Sequence, residues 1–166
     1  MTPKDFKAKY LSDAEASEAK TGISKWATLA QAAEESGWGE HCPGNMMFGV
    51  KDTDGLNGNE QLITTTEYSK RSDLKFEHFI SVEPCVINGE KFFKYKIQSY
   101  FRKYNTPEES FTDHGNFFIR NERYVKALAV KSDPEKFIDE IAKAGYATGP
   151  RYAADLKSIV HTLQNI

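Results

Sequence analysis

Phe6, Tyr10 and Ala14, with Ser17 behind them, recur at close to four-residue spacing at the start of the chain. That period places them on one side of an α-helix. Thr2, Pro3 and Asp5 supply a capping hydroxyl, a proline at the first helical position and an acid in the first turn, so a helix is predicted from there to about Lys20, broken by Thr21-Gly22. A second helix is predicted over Ser24 to Ser36, capped by Ser24 and closed by Gly37. Trp26, Ala30 and Ala33 share a face of it, with Leu29 nearby. The small residues Ala27, Ala30, Ala32 and Ala33 admit close neighbours, which predicts a central position.

The pattern then shifts to a period of two. "DTDGLNG" carries two turn signals, "QLITTTEYS" is short and β-branched, and Asn88-Gly89 is a hairpin turn. Phe93, Tyr95 and Ile97 alternate with Lys94, Lys96 and Gln98, the mark of a half-exposed strand. Helical spacing returns at "TPEES", a capping box opened by Thr106 and Pro107, with Phe111, His114 and Phe118 on one face. Asp133-Pro134 begins another helix with Phe137, Ile138 and Ile141 inward and Gly145 at its end. Pro150 is read as the start of the last, which carries Tyr152, Leu156, Ile159, Val160 and Leu163. These elements predict an α+β fold in one domain, residues 1–166, with a small antiparallel β lobe over about residues 52–103 inserted into a helical body.

Composition narrows the function. With 166 residues, of which 39% are hydrophobic and 13% aromatic, the chain can bury a core of its own. A net charge of −2 spread over 28% charged residues offers no field for nucleic acid or an acidic membrane surface. No apolar run approaches the length of a membrane span, and "MTPKDFKAKYLSDAEASEAK" lacks the apolar stretch of a secretory signal. Cys42 and Cys85 either form one bridge, worth roughly 4 kcal/mol by loop closure, or remain two thiols.

The histidines, His41, His78, His114 and His161, lack zinc-ligand spacing, and no glycine-rich phosphate loop is present. Cys42 with His114 is a pair any such chain offers by chance. Carboxylates remain. A glycosidase needs one carboxyl held protonated and a second one ionised, and poor solvation beside aromatic walls raises the pKa of the first. Glu35, at a helix end shortly before Trp38, Met47 and Phe48, meets that requirement, although Glu34-Glu35 at a helix end also reads as an ordinary solvated face.

"LAQAAEESGWG" followed by "NMMFGVK" resembles the paired signature of glycoside hydrolase family 73, the peptidoglycan β-N-acetylglucosaminidases with a flagellar-hydrolase-like glucosaminidase domain. "TTTEYS", "FRKYNTPEESFTDH" and "AGYATGPRYAADL" resemble further stretches of that family, so the likeness spans roughly residues 21–156. Met46, Met47 and Gly149 depart from the pattern, and Glu34 stands where the family carries an aliphatic residue. The resemblance implies a lysozyme-like fold, helices enclosing a cleft roofed by the β lobe. It implies Glu35 as general acid, Glu67 as the second carboxylate and Tyr146 as a third catalytic-site residue. Trp38, Asn45, Phe48, Tyr68 and Tyr124 are candidate substrate contacts. For Tyr124 and Phe48 a place in the core is the competing reading. Arg102, Asp113 and His114 match motif positions and suit an internal hydrogen-bond network.

The resemblance further implies an endo-β-N-acetylglucosaminidase that cleaves the β-1,4 bond after N-acetylglucosamine within peptidoglycan glycan strands, without metal or cofactor, as a monomer. Inverting and substrate-assisted retaining chemistry both stay open, as do a muramidase, a lytic transglycosylase and a non-catalytic glycan-binding domain. The chain is expected to act on the cell wall, either as a phage or prophage endolysin released from the cytoplasm or as a domain of a larger autolysin. Its start at Met1 and its compactness favour the former.

Overall fold

The structure, a computed structural model, describes all 166 residues. They form two compact units, a helical one of Met1–Gly49 and Tyr104–Ile166 and a β one of Val50–Lys103. No helix is long and apolar enough to cross a membrane.

In the helical unit, α1 runs Pro3–Thr21 and α2 Lys25–Ser36. Thr2 Oγ1 accepts from the Asp5 amide at 3.2 Å, and Gly22 closes α1 in the left-handed region at φ 74°. Ser24 Oγ caps α2 by accepting from the Trp26 amide at 3.3 Å. Then follow α3 (Pro107–Arg120), the single turn α4 (Val125–Leu128), α5 (Pro134–Lys143) and α6 (Tyr152–Gln164). α2 packs against α1, α5 and α6. Its alanines 27, 30, 32 and 33 are fully buried, so four methyl-sized side chains allow three helices to approach one. The core holds Phe118, Tyr124, Phe137, Ile138, Ile141, Leu156 and Val160 against Ala27 and Ala30.

Two details differ from the sequence reading. α6 begins at Tyr152, because Pro150 and Arg151 belong to the turn before it. The 3₁₀ turns Pro43–Asn45 and Glu122–Tyr124, and α4, have no apolar period long enough to announce them.

The β unit is one antiparallel sheet of β1 (Glu60–Ser69), β2 (His78–Ile87) and β3 (Glu90–Arg102), in the order β1-β3-β2. Asn88 and Gly89, at φ 49° and 78°, turn β2 into β3 as the hairpin signal predicts. Register pairs Thr65 with Ile97, Glu67 with Tyr95 and Tyr68 with Lys94. Since directly paired residues share a face and neighbours alternate, Glu67 lies on the Tyr95–Ile97 face and Tyr68 on the Lys94–Lys96 face. Both cysteines are free thiols.

Candidate active site

The turn after α2 explains the Ser-Gly-Trp-Gly motif. Gly37, Trp38 and Gly39 all lie in the left-handed region, at φ 60°, 57° and 79°. Glycine enters that region without cost and tryptophan does not, so Trp38 is held there by its surroundings. Its amide donates to Ala33 O at 2.8 Å, and its ring meets Phe6 edge-on with centroids 5.5 Å apart. Ser36, fully buried, accepts the Gly39 amide at 2.8 Å on its hydroxyl and donates that hydroxyl to Ala32 O at 2.5 Å. Glu35, the residue before it, is thereby placed at the end of a helix whose register cannot slip.

Tyr146, 111 residues further along, donates its hydroxyl to Glu35 Oε1 at 2.7 Å. Glu35 is open to solvent, yet its carboxyl pKa is raised, chiefly by burial, with the Tyr146 hydrogen bond opposing and the Glu34 charge adding. The two facts describe different things. A water molecule, or a substrate atom, can touch the side chain, whereas its charge is solvated by the volume around it, much of which is protein. Burial and the adjacent carboxylate push the Tyr146 hydroxyl far above its ordinary range, so it remains a donor.

Two residues that sequence reasoning left out of the site lie beside this pair. Gln31 sits one helical turn before Glu35 and is 1% exposed. Its Nε2 donates to the Tyr152 hydroxyl at 3.0 Å, and its Oε1 lies 3.3 Å from His114 Nε2. With the Gln31 nitrogen committed to Tyr152, its oxygen must accept, so His114 carries its proton on Nε2. Burial holds the His114 pKa down, to about 3. The Tyr152 ring lies 5.8 Å from that of Tyr146, so two tyrosines stand side by side, each bonded to one residue of the same α2 face. The glutamine of "AQAAEE" was the available signal. Nothing local distinguishes it from a solvated residue.

The other nominated contacts divide. Phe48, 3% exposed, stacks on His114 with centroids 3.6 Å apart, and Tyr124, also 3% exposed, packs edge-on against Phe118. Both are core residues with no face left for a sugar, so the substrate role gives way to the competing reading. Asn45, at φ 57°, spends its amide on backbone, donating to Tyr104 O at 3.0 Å and Asn105 O at 3.2 Å. It ties the turn after α2 to the segment leading into α3. Trp38 is half-buried and keeps part of its ring accessible. Asp113 accepts from the Tyr104 hydroxyl at 2.6 Å, the internal bond expected of it.

In the β unit, Glu67 is half-exposed and Lys51 Nζ lies 3.9 Å from its Oε1. Tyr68 is exposed, but on the opposite face of the sheet from Glu67. One ligand lying on the Glu67 face therefore does not meet it. Arg102 pairs with Asp54 at 3.2 Å.

A carboxyl that can be reached, is poorly hydrated and is held on one oxygen by a tyrosine is equipped to deliver a proton. Known proteins resemble the chain over nearly its whole length. Residues 11–165 match the glucosaminidase family model, described as mannosyl-glycoprotein endo-beta-N-acetylglucosaminidase. The peptidoglycan hydrolase FlgJ of Salmonella typhimurium is 33% identical over 97% of this chain and 46% of its own length. The exo-glucosaminidase LytG of Bacillus subtilis is 30% identical over 80% of the chain and 42% of its own length. The chain thus spans less than half the length of either relative. A C-terminally truncated glycoside hydrolase domain of the Salmonella FlgJ superposes with a TM-score of 0.74, at 32% identity over 99% of both chains. The catalytic domain of the autolysin Auto from Listeria monocytogenes, at 22% identity, shares the fold with a TM-score of 0.71 over 98% of this chain and 84% of that one. On this family match, and with relatives of this similarity, the chain belongs to the glucosaminidase family, glycoside hydrolase family 73, and its fold is lysozyme-like.

Proposed function

We propose that the chain hydrolyses the β-1,4 bond after N-acetylglucosamine in the glycan strands of peptidoglycan, with Glu35 as general acid. The observation that carries this reading is the Tyr146–Glu35 pair, a reachable carboxyl with a raised pKa and one oxygen already engaged. Because Tyr146 donates to Oε1, the acid proton belongs on Oε2, from which it passes to the glycosidic oxygen as the bond breaks. Positive charge then develops at the anomeric carbon. Glu67 is the second carboxylate in this reading, stabilising that charge or drawing a proton from the attacking water, with Lys51 beside it. The 2-acetamido oxygen of the substrate is an alternative internal nucleophile that would reduce the demand on Glu67. The names of the relatives, peptidoglycan hydrolase and exo-glucosaminidase, support the substrate class.

Digestion of purified murein followed by mass spectrometry tests the reading. Fragments ending in reducing N-acetylglucosamine support it, while anhydro-muramic or reducing muramic ends identify a transglycosylase or muramidase instead. Glu35→Gln abolishes turnover with the fold intact, and substantial activity in that variant removes Glu35 from the role. The name of the LytG relative makes exo-cleavage the second mode to separate. Endo-cleavage shortens long strands early in the digest, whereas exo-cleavage releases small products from the start.

A further inference from the structure

α3 carries one aromatic residue that is not in the core. Phe111, His114 and Phe118 are buried on that helix, whereas Phe117 is 38% exposed. It is not a detached surface side chain. Its ring centroid lies 5.4 Å from Phe118, 5.7 Å from Tyr124 and 6.2 Å from His114, nearly parallel to the imidazole at 9°. It also lies 6.5 Å from Tyr146, the tyrosine bonded to Glu35. Phe117 therefore rests on a buried aromatic cluster and leaves apolar surface open to water beside the tyrosine that holds the acid. Rings packed on so many neighbours have little freedom to turn, so the exposed surface is rigid before any ligand arrives.

β-linked N-acetylglucosamine and N-acetylmuramic acid carry their substituents equatorially, leaving both faces of the pyranose lined with axial C–H groups. Such a face is apolar, and its weakly positive hydrogens match the negative face of an aromatic ring. We propose that Phe117 is a sugar platform, packing against the pyranose face of a glycan residue adjacent to the bond that Glu35 cleaves. The assignment rests on the reading of Glu35 given above and adds to it a binding residue on α3. Phe117 takes the platform role for which sequence reasoning had nominated its buried neighbour Tyr124.

The test uses the catalytically silent Glu35→Gln chain and soluble N-acetylglucosamine oligomers and murein glycan strands, titrated by calorimetry. Phe117→Ala and Phe117→Leu in that background weaken binding by about tenfold, the loss expected of one stacked ring, while Phe117→Tyr restores it. Leucine keeps apolar bulk over the cluster and lacks only the flat face, so weak binding by a folded Leu variant cannot be laid to a collapsed core. In the active chain the same substitutions raise KM far more than they lower kcat. Binding by the Ala and Leu variants as tight as that of the phenylalanine chain overturns the assignment, as does a fall in kcat at unchanged KM. If Glu35→Gln with Phe117 intact binds no glycan, and the unmodified chain cuts no murein, the reading of the active site itself fails, an outcome distinct from the other two.

Discussion

Replacing Tyr146 by Phe deletes one hydroxyl and leaves the ring. Two effects oppose each other at Glu35 in the unmodified chain. Burial favours the neutral acid and raises the pKa, while the hydroxyl, donating at 2.7 Å, favours the carboxylate and lowers it. Removing the donor leaves burial unopposed, so the Glu35 pKa rises further. A hydrogen bond to a charged group is worth about 1.5–3 kcal/mol, and one pKa unit corresponds to about 1.4 kcal/mol. The rise is therefore bounded at about one to two units. Glu35 is open to solvent, so water takes over part of the lost bond and a shift of about one unit is expected. A general acid works while protonated, so the alkaline limb of the kcat/KM profile moves up by about the same amount. At the optimum the rate falls, because nothing steers the acid proton to Oε2. The assay is kcat/KM on solubilised murein glycan across the acidic and neutral range. A limb that stays in place, or moves down, refutes the opposition of burial and hydrogen bond described here. The position of the limb and its height are separate observables, so a Tyr146 that also touches substrate lowers the height without rescuing an unmoved limb.

Other predictions follow from neighbouring features. Because the Glu35 pKa in the folded chain lies above its ordinary value of 4.5, ionising it on raising the pH costs stability. The inactive Glu35→Gln chain accordingly melts higher at neutral pH, and the gain fades below the ordinary carboxylate range; calorimetry showing an equal or lower Tm at neutral pH contradicts this. His114, with its folded-state pKa at about 3, stays neutral with its proton on Nε2 while an unfolded histidine titrates near 6.5, so it contributes a loss of stability as the pH falls between those values. Nitrogen NMR of the imidazole checks it, and an Nδ1–H tautomer or a titration near 6.5 counts against the Gln31 network. Gly115→Ala places a methyl 2.8 Å from Thr21 Cγ2, and Thr21 is fixed by donating its hydroxyl to Ser17 O, so unfolding measurements should register a loss of about 1–3 kcal/mol.

Much of this fold was written locally. Thr2-Pro3, Ser24, Gly37, Thr106-Pro107 and Asp133-Pro134 act within a few residues of themselves, because a cap satisfies amides only one turn away, and the helices begin or end where these residues predicted. The opposite facing of Glu67 and Tyr68 was equally available, since neighbours in a strand must alternate. The site is a different matter. Resemblance to the family's paired signature singled out Glu35, but its raised pKa and its bond to Tyr146, 111 residues away, exist only once distant segments have packed together. The same packing buried Tyr124 and left Phe117 exposed, although the two aromatic residues stand only seven positions apart in the chain. It also turned Gln31 from one polar side chain among many into the link between His114 and Tyr152. Local chemistry decides where an element starts and which way its residues face. Solvation, partner and pKa are properties of the volume around an atom, and that volume is filled by residues remote in sequence.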